Sequence, residues 1–413
     1  MAGGPMNSTE PDVSVIIGAY NAMPYLVRCL ESVEAQTLGA ERVEIVAVDD
    51  GSTDGTGEYL EEFAARTSIP TRVVRQANSG GPSGPRNTGL GLARGRYVFF
   101  LDADDYFGDE ALERMVAMGD RARTDVVLGK IEGVNRGAAK SMWKETVERA
   151  DLYTSNIKFT LSAQKLFRRE LLVRLGMSFD EGLRTGEDAL FTMEAYLRGD
   201  GVSVVADYTC YYLVGRDDGK HVTKSGSWTL RFDSARALTG LIAEYVPPGA
   251  KRDQLMVRPF AITLLPQFGP ALLRATPEVR EQKLELAAPL MAAYWTPGLA
   301  RRFKVHERLR LAALAEGRLD LVLDVLEFMA AKKVPEVVAR QRPDRLHLAY
   351  PHFGDGTGLP DAAYEVTVTE TIGGERVAPP RPRKPAGSPA RRLVGKARRA
   401  VRAALRAPRR NRA

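Results

Sequence analysis

Phe99-Phe100-Leu101-Asp102-Ala103-Asp104-Asp105 is an apolar run that stops abruptly on three carboxylates. Carboxylates crowded at a strand end repel one another unless a cation joins them, so such a cluster costs stability and points to chemistry. The same pattern recurs upstream. Val43-Glu44-Ile45-Val46-Ala47-Val48 runs into Asp49-Asp50-Gly51-Ser52-Thr53-Asp54-Gly55, and Val13-Ser14-Val15-Ile16-Ile17 runs into Gly18-Ala19-Tyr20-Asn21. Helical spacing follows each run: Leu26, Leu30 and Val33 after the first, then stretches near 56 to 66 and 84 to 93, with a further strand at 72 to 75. This alternation predicts an α/β fold with a mostly parallel sheet, and such sheets bind ligands beyond the carboxyl ends of their strands. The polar clusters are therefore expected on one rim. Between them, Asn78-Ser79-Gly80-Gly81-Pro82-Ser83-Gly84-Pro85-Arg86-Asn87 offers backbone amides and a guanidinium, the donors a phosphate requires. Nucleotide plus divalent metal is the first reading.

Downstream, a helix is predicted from Ala111 to Met118 and strands at Asp125 to Leu128, Val202 to Val205 and Cys210 to Leu213. Regular structure is also predicted over Leu161 to Phe167 and Leu171 to Leu175. A helix over Asp188 to Leu197 opens just after Gly186-Glu187. Beyond Trp228, Leu and Ala recur at helical periods to about Ala339, broken at Pro247-Pro248, Pro266, Pro277 and Pro297. Leu346 to Tyr350 and Tyr364 to Thr371 alternate like strands. The organisation expected is a disordered N-terminus at 1–11, an α/β domain at 12–225, a helical domain at 226–340, a small β element at 341–377 and a basic Pro/Arg-rich tail at 378–413.

The 413 residues, 44% of them hydrophobic, suffice for two or three domains with a sizeable core. Cys29 and Cys210 are too few and too far apart for a disulfide framework or a zinc site, which fits a reducing cytoplasm. The first residues lack a basic region followed by an apolar one, and no run approaches the ~20 apolar residues of a membrane span. Net charge +7 hides an asymmetry: residues 376–413 hold 14 Lys and Arg and no acid, which leaves 45 bases against 52 acids elsewhere. A tail of that kind seeks polyanions, either anionic lipid at the inner membrane face or an anionic polymer. Nucleic acid is disfavoured because no aromatics interleave the charges.

Each candidate residue also has a plainer reading. Asp102 and Asp104, two apart, share a face of an extended strand, so one can touch a sugar while the other reaches a metal; capping of a following helix is the alternative. Asp50 is suited to accept from a base or ribose, whereas Ser52, Thr53 and Asp54 read as helix caps. Tyr20 can stack on a base or simply lie half-buried in its loop. Arg86, at a helix start, suits a pyrophosphate, with a surface salt bridge as the plainer outcome. Glu187-Asp188 offers a carboxylate for removing a hydroxyl proton, or a cap. His221 shares a loop with Arg216 and Asp217, where it can meet a leaving diphosphate or a metal.

Taken in order, Gly18-Ala19-Tyr20-Asn21, Val48 through Asp54, Arg86-Asn87, Phe100 through Asp105 and Glu187-Asp188 resemble the family 2 glycosyltransferases of the GT-A, Rossmann-like fold, over residues 12 to 225. Ser141-Met142-Trp143-Lys144-Glu145-Thr146, Tyr153 through Leu166 and Arg216 to His221 are similar, more narrowly, to wall teichoic acid N-acetylglucosaminyltransferases. The resemblance implies an inverting enzyme that uses a UDP-sugar and Mg²⁺ or Mn²⁺. It makes Tyr20 and Asp50 nucleoside contacts, Asn78 and Arg86 donor contacts, Asp102 a sugar or phosphate contact and Asp104 the metal ligand. Glu187 would orient the sugar, Asp188 would be the catalytic base, and Arg216 and His221 would hold the diphosphate or metal. The acceptor implied is an anionic cell-envelope polymer, with peripheral membrane contact through the tail and a homo-oligomer as further expectations. The chain departs from those enzymes after Leu346, where its β segment is short. Transfer to another capsular or surface polysaccharide, nucleotidyl transfer and an inactive carbohydrate-binding scaffold stay open.

Overall fold

The computed structural model describes residues 10–216, 227–339 and 345–379. Four parallel strands form its first half: β1 (Val13–Ala19), β2 (Val43–Asp49), β3 (Thr71–Arg75) and β4 (Tyr97–Asp102). They are linked by α1 (Tyr25–Glu34), α2 (Thr56–Arg66) and α3 (Ser83–Leu92). Then come β5 (Tyr106–Phe107), α4 (Ala111–Ala122), β6 (Val126–Val134), β7 (Leu166–Arg168), α5 (Arg169–Leu175), α6 (Glu187–Arg198) and β8 (Val202–Val214). The sheet order is β3-β2-β1-β4-β7-β6-β8-β5, with β7 antiparallel to β4 and β6, and β5 antiparallel to β8.

Register explains the rim. Ala19 lies opposite Asp49, Gly18 opposite Asp102 and Asp49 opposite Arg75, so the strands end together and their loops emerge side by side. Alternation along β1 sends Val13, Val15 and Ile17 to one face, against α1, α2 and α4, and Ile16 to the other. On β4, Phe99 and Leu101 face the first layer, and Val98 and Phe100 the second.

The second layer does not stop at the α/β domain. α7 (Thr229–Tyr245), α8 (Ala250–Arg258), α9 (Pro277–Tyr294), α10 (Pro297–Ala300), α11 (Val305–Ala315) and α12 (Leu319–Ala330) pack into the same apolar cluster as Phe100 and Phe191. Prolines that break the helical pattern also start helices. Pro277 and Pro297 open α9 and α10, each behind a threonine whose hydroxyl accepts a backbone N–H.

Several sequence expectations need correction. The helical region ends at Ala330, because Lys332 takes φ +54° and Pro335 has no N–H to continue the helix, and β9 (Glu336–Ala339) then pairs antiparallel with β10 (Leu346–Ala349). Tyr364 closes a single helical turn; the strand there is β11 (Glu370–Ile372), in a hairpin with β12 (Glu375–Val377). Regular structure in 161–167 is confined to β7. β6 runs on to Val134. The two strands expected after Gly201 are one: β8 absorbs Ala206-Asp207-Tyr208 as a bulge against Gly129 and Lys130. The tail at 380–413 and residues 1–9 lie outside the described residues.

Candidate active site

The rim gathers most of the sequence-predicted residues. Asp102, closing β4, accepts from Arg86 Nη2 at 2.8 Å and from Gln164 Nε2 at 2.6 Å. The same guanidinium donates through Nη1 to Asp188 at 2.5 Å and lies 3.7 Å from Glu187. Arg86 thus bridges a carboxylate of β4 and two at the start of α6. It is buried, with its guanidinium 5.2 Å from the Phe179 ring centroid. Burial works against its charge, but Asp188, Asp102 and Glu187 more than offset that and hold it protonated. It is neither a surface salt bridge nor turned outward: it ties both halves of the site.

α6 begins where it does because Gly186 adopts φ +87°, a conformation open to glycine, and a Cβ there would lie 2.9 Å from Ser234. Its first turn carries Glu187 and Asp188 at the positive end of the helix. Burial and the neighbouring Asp188 push Glu187 up to about 7, against the pull of Arg86.

Asp104 is pushed up to about 6 by burial and by Asp102, while Arg216 and Arg136 oppose the shift. Asp105 is pushed up further, to about 8, by burial, Asp102 and Asp104. It accepts from the Tyr211 hydroxyl and the Val214 amide, both at 2.7 Å, and so ties the end of β8 to the acidic loop. One carboxyl of the three is therefore structural.

Asp50 faces protein donors: Gln76 Nε2 at 2.6 Å, Ser79 Oγ at 2.9 Å and the Ser79 amide at 3.1 Å. It holds the glycine-rich loop against β2, and Gly51, at φ +79°, permits this because a Cβ there would meet the Asn78 amide at 2.9 Å. Asn78 is exposed and accepts from Gly80 N–H. Asn87 anchors the loop at Phe179 through both of its amide atoms.

Tyr20 is 54% exposed at the end of β1, its ring available for stacking. The loop beneath it is fastened in a way the sequence reading missed. Ser52 accepts from Asn21 N–H, Asp54 from Met23 N–H and Thr56 Oγ1 from Ala22 N–H. Ser52 thus clamps the neighbouring strand's loop, while Asp54 does both jobs: one oxygen holds Met23, and the other accepts from the Thr56 amide at 3.1 Å and the Thr56 hydroxyl at 2.6 Å at the head of α2, where Gly55 stands at the cap position with no side chain to offer. Arg216 donates to the Asn21 carbonyl at 3.2 Å and lies 5.0 Å from the Tyr25 ring centroid. His221 lies outside the described residues. Gln164 and Lys165, inside the stretch from Tyr153 to Leu166, and Arg136 join the site without having been given a role.

Beside α6, Gly186, Ala189, Arg231, Ser234, Arg258 and Gln267 line a cavity of about 400 Å³. Arg258 Nε is buried without a hydrogen-bond partner, and burial pulls this guanidine down to about 10.

Among the described residues no group of three His, Cys, Asp or Glu side chains gathers to hold a metal ion. A divalent cation that binds phosphate needs only one or two protein carboxylates, the rest of its shell coming from phosphate oxygens and water. Asp104 suits that role, since a cation beside it would relieve both its burial and the repulsion from Asp102.

Comparison with known proteins agrees with this geometry. Residues 14–176 match the glycosyl transferase family 2 model, and residues 230–326 match the glycosyl transferase TarS linker domain. The chain is 42% identical over 212 residues to the poly(ribitol-phosphate) beta-glucosyltransferase of Bacillus spizizenii, covering 51% of this chain and 33% of that protein. It is 39% identical over 213 residues to the poly(ribitol-phosphate) beta-N-acetylglucosaminyltransferase TarS of Staphylococcus aureus, covering 51% and 37%. The matched region is thus about a third of the length of these two relatives. The crystal structure of S. aureus TarS 1–349 in complex with UDP-GlcNAc superposes with a TM-score of 0.73 at 30% identity, covering 83% of this chain and 97% of that one. With its sheet order, its paired acidic loops and these matches, the chain belongs to the family 2 glycosyltransferases and has the GT-A fold.

Proposed function

We propose that the protein is an inverting glycosyltransferase that moves a sugar, GlcNAc in the first instance, from a UDP-sugar to a hydroxyl of an anionic polyol-phosphate polymer of the cell envelope. The observation that carries this reading is the shared guanidinium: Arg86 places Asp188, at the head of a helix, within reach of the carboxylate loop that ends β4. Relatives named for poly(ribitol-phosphate) transfer and a homologous UDP-GlcNAc complex support the donor and the acceptor class.

In this mechanism Tyr20 stacks on the base, and Asp50 keeps the loop from Asn78 to Gly81 set against the nucleoside side. Asp102, fixed by Arg86 and Gln164, contacts the sugar or the phosphate beside it. Asp104 would hold Mg²⁺ or Mn²⁺, which supplies charge neutralisation for the departing diphosphate. Arg216 adds a cation on the same side, and the role carried by the resemblance gives His221 the diphosphate or the metal as its partner. Asp188 removes the proton of the acceptor hydroxyl as oxygen attacks the anomeric carbon from the face opposite the UDP, and one displacement inverts that centre. Glu187, its proton held more tightly by burial and by Asp188, orients the sugar. The cavity with Arg231 and Arg258 offers cationic walls to a phosphodiester chain approaching Asp188.

Asp188→Asn should lower transfer to a polyol-phosphate acceptor by at least ~100-fold while UDP binding persists. Transfer near the native rate would remove the base assignment, and release of pyrophosphate instead of UDP would replace glycosyl by nucleotidyl transfer. Because the relative at 42% identity is named a beta-glucosyltransferase, UDP-glucose is the second donor to assay beside UDP-GlcNAc.

A further inference from the structure

Residues 176–186 join α5 to α6 and are fastened to three parts of the molecule. The early part of this connection is held by α3. Asn87 Nδ2 donates to the Phe179 carbonyl and to the Glu181 carboxylate, both at 2.9 Å, and the Ser83 hydroxyl donates to the Asp180 carbonyl at 3.1 Å. The late part is held by α7, where Arg231 Nη1 donates to the Thr185 hydroxyl at 3.0 Å and the Ser234 hydroxyl to the Thr185 carbonyl. Arg184 stands between these anchors, and its Nη1 donates to the Gly80 carbonyl at 2.7 Å. The approach is close: a Cβ on Gly80 would lie 2.6 Å from that nitrogen.

Gly80 belongs to the glycine-rich loop that Asp50 holds from the other side through the Ser79 amide and hydroxyl. The loop is gripped twice, by the carboxylate after β2 and by Arg184 from the turn that heads α6. Asp188 lies four residues beyond Arg184 in the chain. Two guanidiniums therefore join these parts of the site. Buried Arg86 binds carboxylate to carboxylate, whereas exposed Arg184 binds the backbone of the loop to the head of the helix. Among the described residues, Gly80 is the one polar partner of Arg184. An exposed arginine on a neutral carbonyl contributes little to folding. Its place matters more, because misplacing reacting groups by about 1 Å can cost about 100-fold in rate.

We propose that Arg184 is a positioning residue for transfer: seated on the Gly80 carbonyl, it holds the glycine-rich loop at a fixed distance from the head of α6, so that a bound UDP-sugar and Asp188 meet at one spacing. This rests on Asp188 being the base and on the loop from Asn78 to Gly81 facing the UDP-sugar. Without the guanidinium Ser79 stays on Asp50, so the nucleotide keeps its seat while the loop is no longer tied to α6.

The test measures kcat and KM for the full chain with a UDP-sugar and a polyol-phosphate acceptor, and the Kd of UDP by calorimetry, in Arg184→Met and Arg184→Lys. Methionine keeps much of the apolar stem and loses the hydrogen-bond donor; lysine keeps a donor for the Gly80 carbonyl. Arg184→Met should lose roughly tenfold in kcat, keep the Kd of UDP and the KM of the UDP-sugar within about twofold, and leave the melting temperature in place. Arg184→Lys should return to within about threefold of the native kcat. A native kcat in Arg184→Met overturns the proposal. So does a loss of UDP affinity as large as the loss of kcat, which would make Arg184 a nucleotide contact, and so does a loss of kcat that lysine does not repair. Asp188→Asn separates the two readings. If it transfers normally, the base assignment falls and the role of Arg184 with it; if it is inactive while Arg184→Met turns over at the native rate, only the role of Arg184 is gone.

Discussion

At the scale of single residues, Arg86 sets the terms of the site. Removing one member of a buried charged cluster strands the others, at a cost of about 3–5 kcal/mol. Arg86→Met should therefore abolish transfer and also lower the urea midpoint substantially, since Asp102, Glu187 and Asp188 would face one another without a cation. An inactive variant of unchanged stability would mean that water already screens those carboxylates. Sequence reading found Arg86 from its place after a glycine-rich loop, but assigned it to phosphate. A guanidinium at a helix start serves phosphate and carboxylate equally well, and only the fold brings α6 across to it.

At the scale of elements, the parallel strands and their helices were legible, because two-residue and 3.6-residue periodicities are strong in β1 through β4 and their crossovers. What failed were the places where tertiary contact outvotes local signal. Ala206-Asp207-Tyr208 reads as a turn, yet the Thr146 hydroxyl donates to Asp207 and the Glu110 amide to the Tyr208 hydroxyl, so the bulge stays in the sheet. Ser52 reads as a cap because its partner, Asn21, lies about thirty positions away in sequence, and the same separation hides the Met23 amide that Asp54 holds beside its local Thr56 contact. Gln164 sat in a quoted stretch without a role for the same reason: its partner, Asp102, is 62 positions away. The clamp makes a prediction about loops: Asp54→Ala frees the Met23 amide and loosens the loop beneath Tyr20. The Thr56 amide and hydroxyl at the head of α2 lose the same carboxylate; the Met23 hydrogen bond alone, of order 1 kcal/mol, should raise KM for the UDP-sugar about fivefold with little change in kcat. A fall in kcat with KM unchanged would instead place that loop in the chemical step.

At the scale of the whole molecule, the helices after Trp228 do not form a separate globule beside the α/β domain; Phe232, Leu238, Phe260 and Leu299 share one apolar interior with Phe100 and Phe191. His306 on α11 reports on that interior. Burial pushes its ring down to about 4, with Arg310 and Lys304 adding to the shift. The unfolded chain takes up this proton near 6.5 and the folded chain only near 4, so the contribution is fully present above pH 6.5 and is lost as pH falls through 4. The melting temperature should accordingly fall between pH 6.5 and 4, and His306→Gln should flatten that fall; parallel curves for the two proteins would count against burial of the neutral ring. A common interior has a practical side for anyone who engineers this enzyme. A methyl group added or trimmed beneath α9 shifts the floor on which Glu187 and Asp188 stand, so selecting variants for heat resistance will also keep retrieving altered turnover.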